Sequence, residues 1–410
     1  MWFRKKSIQR CYEYTNIRNQ IIKGNKKEAD RKLFFYYDET DNCRKMRINI
    51  NSETGFNNSI SSIFILGGIV SDKIVSTEKA NELFGQLKIN GKPAEIKYKT
   101  IFGRRSDFKN IMKSENLHII LKWLKENDLY VHFTEYSVID NICNQIMESL
   151  SCSKEINQLE KDILKCLIIK ESFGFAKLLD ELEYPQIQNY GLFWIKLKKL
   201  FNIDELTKKE HSINSVEGLT LLIQQESLKS LQRKIELAYE SKTRLASSYI
   251  PKEKGLILDN FGIVYQKPLI IFKNSMHYFD NETDIDKYLK DTPMFINGKF
   301  IKNYQFVNIK QPGELIVNEN KVVYICDWIV RILQNTIQFL RNTSENKLYE
   351  YIQEMSKIEK DNFVNLCSLL RESMELNKFA FCFFDTWRLS ARFEWLTEYE
   401  KTLILASISR

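Results

Sequence analysis

The sequence predicts an α/β protein: a mixed sheet flanked by helices, interrupted by a large all-helical insertion and followed by a helical C-terminal extension. Three observations carry this expectation. Apolar and aromatic runs of strand length alternate with helix-period segments over 33–140, and the alternation resumes over 247–342. Residues 141–246 place apolar residues at intervals of three and four, with few β-branched alternations, as a helical insertion does. Residues 343–410 keep the helical spacing.

Taken in order, residues 1–32 form a basic arm in which Arg4, Lys5, Lys6, Arg10, Arg18, Lys23, Lys26, Lys27, Arg31 and Lys32 outnumber Glu13, Glu28 and Asp30. Such an arm suits contact with phosphates, and equally a solvated helix leading into the first strand. Strands are expected at 33–38 and 62–70, and helices over about 76–89 and 107–127. A further strand is expected at 129–136. Beyond the insertion, the runs at 255–260, 267–273 and 303–310 read as strands, and 320–341 reads as a long helix.

The bulk composition bounds the class. At 410 residues, with 43% hydrophobic and 28% charged residues, the chain can bury a large core as one elaborated domain or two modest ones. A net charge of +8 is compatible with a polyanionic partner. The eight cysteines include no Cys-x-x-Cys pair, which argues against a zinc ribbon or finger. Met1-Trp2-Phe3-Arg4-Lys5-Lys6 does not read as a secretory signal, and no apolar run approaches the roughly 18 residues of a membrane helix. These features lead us to expect a cytoplasmic protein with reduced thiols and no membrane partner.

Four acids stand where charge is costly. Asp38 ends the run Leu33-Phe34-Phe35-Tyr36-Tyr37, and Asp259 ends Leu256-Ile257-Leu258. Asp327 lies inside the apolar helical run from Val322 to Val330, and Glu95 precedes Ile96-Lys97 ahead of the basic loop Gly103-Arg104-Arg105. Because strand side chains alternate, an inward Asp38 turns Glu39 to the opposite face. Two carboxylates about 4 Å apart repel by roughly 4 kcal/mol at an effective dielectric of 20. A cluster of them must protonate, pair with cations or hold a divalent metal, and oxygen-only ligands favour Mg²⁺ or Mn²⁺. Simpler readings stand beside this one. Asp259 suits a turn before Gly262, Asp327 suits an i,i+4 pair with Arg331, and Glu95 suits an exposed loop pair. His132 reads as a packed strand residue, and His277 as a loop residue able to shuttle a proton.

The motifs carry a family resemblance. Tyr36-Tyr37-Asp38-Glu39-Thr40 resembles the Tyr-x-Asp-Glu-Ser motif of the RNase H-like domain-of-unknown-function family 3800. Phe64-Ile65-Leu66-Gly67-Gly68-Ile69-Val70 is similar to that family's second strand, and Glu95-Ile96-Lys97 to its Glu-Leu-Lys element. Leu256-Ile257-Leu258-Asp259 is similar to a later strand ending in Asp. Phe306-Val307-Asn308-Ile309-Lys310, followed by Val323-Tyr324-Ile325-Cys326-Asp327-Trp328-Ile329, resembles its closing Asp-Ser-Lys and Gln-Leu-Ala-Asp-Leu-Ile signature. The sequence departs from the pattern at Thr40, Asp41, Asn308, Ile309 and Cys326.

The resemblance covers roughly 33–140 and 250–340. It implies an RNase H-like mixed sheet with Asp38, Glu95, Asp259 and Asp327 as catalytic ligands of Mg²⁺ or Mn²⁺, two ions being expected. The implied activity is a nuclease hydrolysing phosphodiester bonds of RNA or DNA, with phage defence or toxin action as its setting. From the residues themselves, Lys97, Arg104, Arg105 and Lys310 are the expected nucleic-acid contacts, while the abundance of lysine in the chain also accounts for Lys97 and Lys310 by chance. The competing expectation is a catalytically idle RNase H-like scaffold whose helical regions bind a protein partner, or a second copy of the chain, in a multi-gene defence assembly.

Overall fold

The structure is a computed structural model that describes residues 14–40, 45–89, 96–103, 107–150, 157–207, 216–245, 253–258, 261–310, 316–317 and 319–382. It divides into two compact units. The first comprises 1–41, 64–135 and 262–410, and the second 42–63 and 136–261.

The first unit is built on a six-stranded mixed sheet. Its strands are β1 (Phe34–Thr40), β2 (Ile63–Ser71), β3 (Tyr130–Ser137), β4 (Met276–Phe279), β5 (Tyr304–Phe306) and β6 (Phe381–Cys382). Their spatial order is β6-β3-β2-β1-β4-β5. β1 pairs antiparallel with β2 and parallel with β4, and β4 pairs parallel with β5. β1 is therefore internal, which is why Phe35, Tyr36 and Tyr37 are all buried. The helices of this unit include α1 (Thr77–Gln86), α2 (Tyr98–Phe102), α3 (Glu115–Glu126), α4 (Gly262–Ile271), α5 (Lys321–Asn342) and α6 (Lys357–Leu376).

The two faces of β1 are covered differently. Tyr36 stacks on Tyr278, and its hydroxyl accepts from the Val75 N–H; the Thr40 hydroxyl donates to Gln334 of α5. On the opposite face Phe35 packs on Phe272 and His277, and the Tyr265 hydroxyl of α4 donates to Glu39. Helix α5 lies against β1 and α1 and is buried along most of its length.

That close approach needs the Gly67-Gly68 pair. A Cβ on Gly68, whose φ is +150°, would stand 2.6 Å from Cys326 Sγ and 2.4 Å from the Tyr36 carbonyl oxygen. On Gly67 it would stand 2.5 Å from the His132 carbonyl oxygen. Gly68→Ala is therefore expected to cost about 2–4 kcal/mol, from overpacking together with an unfavourable φ. Denaturant unfolding checks this, and a midpoint within error of wild type would contradict the tight α5–β2 contact.

Most expected elements are present, with four corrections. Residues 267–273 lie largely within α4 rather than in a strand, with Pro268 inside the helix. The run is apolar on all sides because α4 is buried, so its periodicity cannot distinguish helix from strand. The strand beside β1 is β4, and His277 lies within it rather than in a loop. Leu256–Leu258 is a strand but not of the large sheet; it pairs with Met46–Arg47 in the second unit. Finally, the C-terminal region is not wholly helical, since Phe381–Cys382 pairs with β3.

Arg18, in the helical stretch 14–22, is 2% exposed. It donates to the Ile270 and Ile271 carbonyls at the end of α4 and pairs with Asp30 at 2.7 Å. This member of the basic arm caps a helix instead of facing a phosphate.

The second unit is mainly helical, with Val138–Leu150, Gln158–Lys170, Ser172–Glu181, Tyr190–Leu200 and Val216–Ser241 among its helices. Its charges are partly internal. Buried Asp140 pairs with Lys161 at 3.4 Å and Lys165 at 2.7 Å, and buried Glu160 accepts from Ser230 and Lys234. Among the described residues no helix is long and apolar enough to cross a membrane.

Candidate functional site: a carboxylate cluster at the strand ends

The first unit brings together two of the expected acids and adds a third. Asp38 lies near the C-terminal end of β1. Tyr37 is the parallel partner of Phe279, so Asp38 and Asp280 are the next residues on adjacent strands, which lie about 4.8 Å apart. Asp327 projects from α5, the helix packed against β1. Asp38 is partly buried and accepts the Glu39 N–H at 2.7 Å. Burial holds its carboxyl well above the usual carboxylate range, and the negative charges of Glu39, Asp327 and Asp280 push it further in the same direction. Burial also raises the neighbouring Cys326 thiol, and Asp38, Asp280 and Asp327 add to that rise. Two different groups thus feel the same carboxylates.

Each flanking acid has a protein partner. Asp280 accepts from Asn308 Nδ2 at 3.1 Å. Asn308, at φ +55°, also accepts the Asn320 N–H at 2.7 Å, and Asn320 in turn caps α5 through Val322. Asn308 therefore ties the Asp280 strand end to the start of the helix that carries Asp327. An amide can donate to a carboxylate where a second acid would repel it. Asp327 accepts the Tyr98 N–H at 3.1 Å and pairs with Arg331 Nε at 3.5 Å. Its neighbour Trp328 donates to the Ile96 carbonyl at 2.8 Å, fixing the chain at 96–98 against α5.

Of the other expected site residues, Glu95, Asp259, Arg104 and Arg105 lie outside the described residues. Lys97 is exposed at the N-cap of α2. Lys310 belongs to a short ladder with Ile316–Val317, its side chain lying outside what is described. His277 is not a proton shuttle. It is fully buried, with Nδ1 against the Tyr37 hydroxyl at 2.8 Å and Nε2 against the Phe272 carbonyl at 3.3 Å. Burial pushes its pKa down to about 3, so it stays neutral. His132 is packed against Phe35 and Tyr37, as a strand residue should be.

Asp280 is the site residue that the sequence reading missed. Its signal is the one that marks Asp38: an aromatic run, Tyr278-Phe279, ending in an acid.

The donor set at the strand ends is oxygen only, because the Cys326 thiol donates to the Tyr36 and Val322 carbonyls. That chemistry fits a hard divalent cation rather than zinc. Among the described residues no group of three or more His, Cys, Asp or Glu side chains is arranged to hold a metal ion. The flanking carboxylates are turned to Asn308, Tyr98 and Arg331. Comparison of the chain with protein-family models, curated proteins and solved structures finds no match.

Proposed function

We propose that the chain is a divalent-metal-dependent nuclease of RNase H-like fold, with Asp38, Asp280 and Asp327 as its central carboxylates. The observation that carries this reading is the placing of Asp38 and Asp280 on adjacent parallel strand ends beneath Asp327, where Asp38 feels both charges. Like charges gathered at a cost are a mark of function. The strand arrangement also favours the reading: β1 is internal, its hairpin partner β2 antiparallel and its crossover partner β4 parallel. The resemblance of Tyr36-Tyr37-Asp38-Glu39-Thr40 to the family motif adds to it.

A Mg²⁺ or Mn²⁺ ion at this position would activate a water and offset charge on the leaving oxygen. Asp38, on the internal strand, would share the ion with Asp280 and Asp327. Asn308 holds Asp280, and the Tyr98 N–H holds Asp327. Glu95, which lies outside the described residues, is retained as an expected ligand because Glu95-Ile96-Lys97 is similar to the family's Glu-Leu-Lys element. Asp280 joins Asp38 and Asp327, and Asp259, which lies outside the described residues, stays an expected ligand to be tested.

The test is cleavage of labelled single- and double-stranded RNA and DNA with Mg²⁺ or Mn²⁺, comparing wild type with Asp280→Asn. Metal-dependent cutting that falls at least a hundredfold in the variant is the expected result. No cutting of any substrate by wild type, in either metal, would favour the idle scaffold with a protein partner.

A further inference from the structure

We propose that Arg331 is an exchangeable counter-ion of this site: it pairs with Asp327 while no divalent cation is bound, and turns to a substrate phosphate when a cation takes Asp327. The inference rests on the nuclease reading and assigns a residue that the reading leaves unused. Arg331 lies one helical turn beyond Asp327 on α5. Its neighbours Ile329, Val330, Ile332, Leu333 and Gln334 are buried, whereas its own side chain is 39% exposed. Among the described residues, Asp327 is its only ionic or hydrogen-bonding partner.

The pair is also loose. Nε stands 3.5 Å from Asp327 Oδ1, longer than a well-formed hydrogen-bonded ion pair. A half-exposed pair of this kind contributes little and exchanges easily. A guanidinium held only through Nε keeps its Nη donors for a second oxyanion, and its planar fork matches phosphate geometry.

Electrostatics make the exchange useful. Asp38, Asp280 and Asp327 together repel a polyanion. A nucleic-acid backbone can approach only when cations offset those charges. One cation bound by the carboxylates would release Arg331, so metal binding and phosphate binding become linked. The same arginine competes with the first ligand and assists the second.

The experiment compares wild type, Arg331→Gln and Arg331→Lys as full chains. Mn²⁺ binding is followed by electron paramagnetic resonance. The binding of a short fluorescent oligonucleotide is followed by anisotropy in Ca²⁺ at several salt concentrations. Arg331→Gln is expected to bind Mn²⁺ about three- to fivefold more tightly, as removal of a half-exposed ion pair should allow. It should bind the oligonucleotide roughly tenfold more weakly, with a salt slope reduced by about 1. Arg331→Lys should keep the salt slope and a Mn²⁺ affinity close to that of wild type. Arg331→Gln with unchanged Mn²⁺ affinity and unchanged oligonucleotide binding overturns the inference and leaves the carboxylate site standing. Absence of Mn²⁺ binding in all three proteins overturns the nuclease reading and this inference with it. Unchanged melting temperatures show that the variants are folded.

Discussion

Asp38→Asn is expected to abolish cleavage, by roughly 10³-fold or more, while making the folded protein more stable at neutral pH. The first effect follows from removing one of the three carboxylates proposed to hold the cation. The second follows from the electrostatics. Burial and the charges of Glu39, Asp327 and Asp280 hold the folded carboxyl above its ordinary value of 3.8. Between that value and the raised one, the folded state keeps a proton that the unfolded chain has released. Stability therefore declines as pH rises through this window, and Asp38 opposes folding above it. An amide at 38 removes that decline, with a gain on the order of 1 kcal/mol at this partly solvated edge.

Denaturant unfolding of both proteins at several pH values checks the sign. The curves should converge in acid and separate towards neutral pH, with the variant on top. A variant less stable than wild type at neutral pH would contradict the repulsive cluster. The combination of lost activity and gained stability is the informative outcome, because a merely misfolded variant would lose both.

Arg341→Met is expected to be strongly destabilising, at about 3–5 kcal/mol. Glu135 on β3 is wholly buried, and Arg341 Nη2 in the last turn of α5 meets its Oε1 at 2.8 Å. Removing the guanidinium takes a 2.8 Å charged bond from a wholly buried carboxylate, and breaking a buried ion pair from one side is costly. Glu135→Gln added to Arg341→Met should recover much of the loss, since a neutral amide tolerates the site. Chemical denaturation of the two variants decides the matter. A double variant no better than Arg341→Met would show that packing, and not the buried charge, holds α5 against β3.

Much of this architecture is legible in the sequence, for identifiable reasons. β1, β2 and β3 are long apolar or alternating runs with clear ends, and α5 combines the Asn320 cap with apolar residues at helical spacing. Gly67-Gly68 is readable as a small-residue pair, although only the structure shows that it admits Cys326. The failures cluster in 256–280. Helix α4 is apolar on every side, so Leu269-Ile270-Ile271-Phe272 mimics a buried strand. Strand β4 has four residues, one of them a histidine, so it is shorter than β1 and lacks the β-branched content that marks β2.

The strand at 276–279 is followed directly by an acid, Asp280, whereas the run 267–273 ends in Lys273. Leu256-Ile257-Leu258 is the stronger local strand pattern, yet its ladder partner is Met46–Arg47 and not a strand of the large sheet. Pairing register is a property of the whole sheet, and short strands carry little of it locally. Asn308 was read as the loss of an acid; its positive φ and its bonds to Asp280 and Asn320 give it a positioning role.

The measurement that tests the central claim most directly is anomalous diffraction from crystals of the full chain soaked in Mn²⁺. Anomalous density among the carboxylates of Asp38, Asp280 and Asp327, absent in Asp38→Asn crystals, is the expected result. Density only elsewhere, or none at a concentration that saturates ordinary carboxylate sites, would contradict the account and leave the sheet as a scaffold.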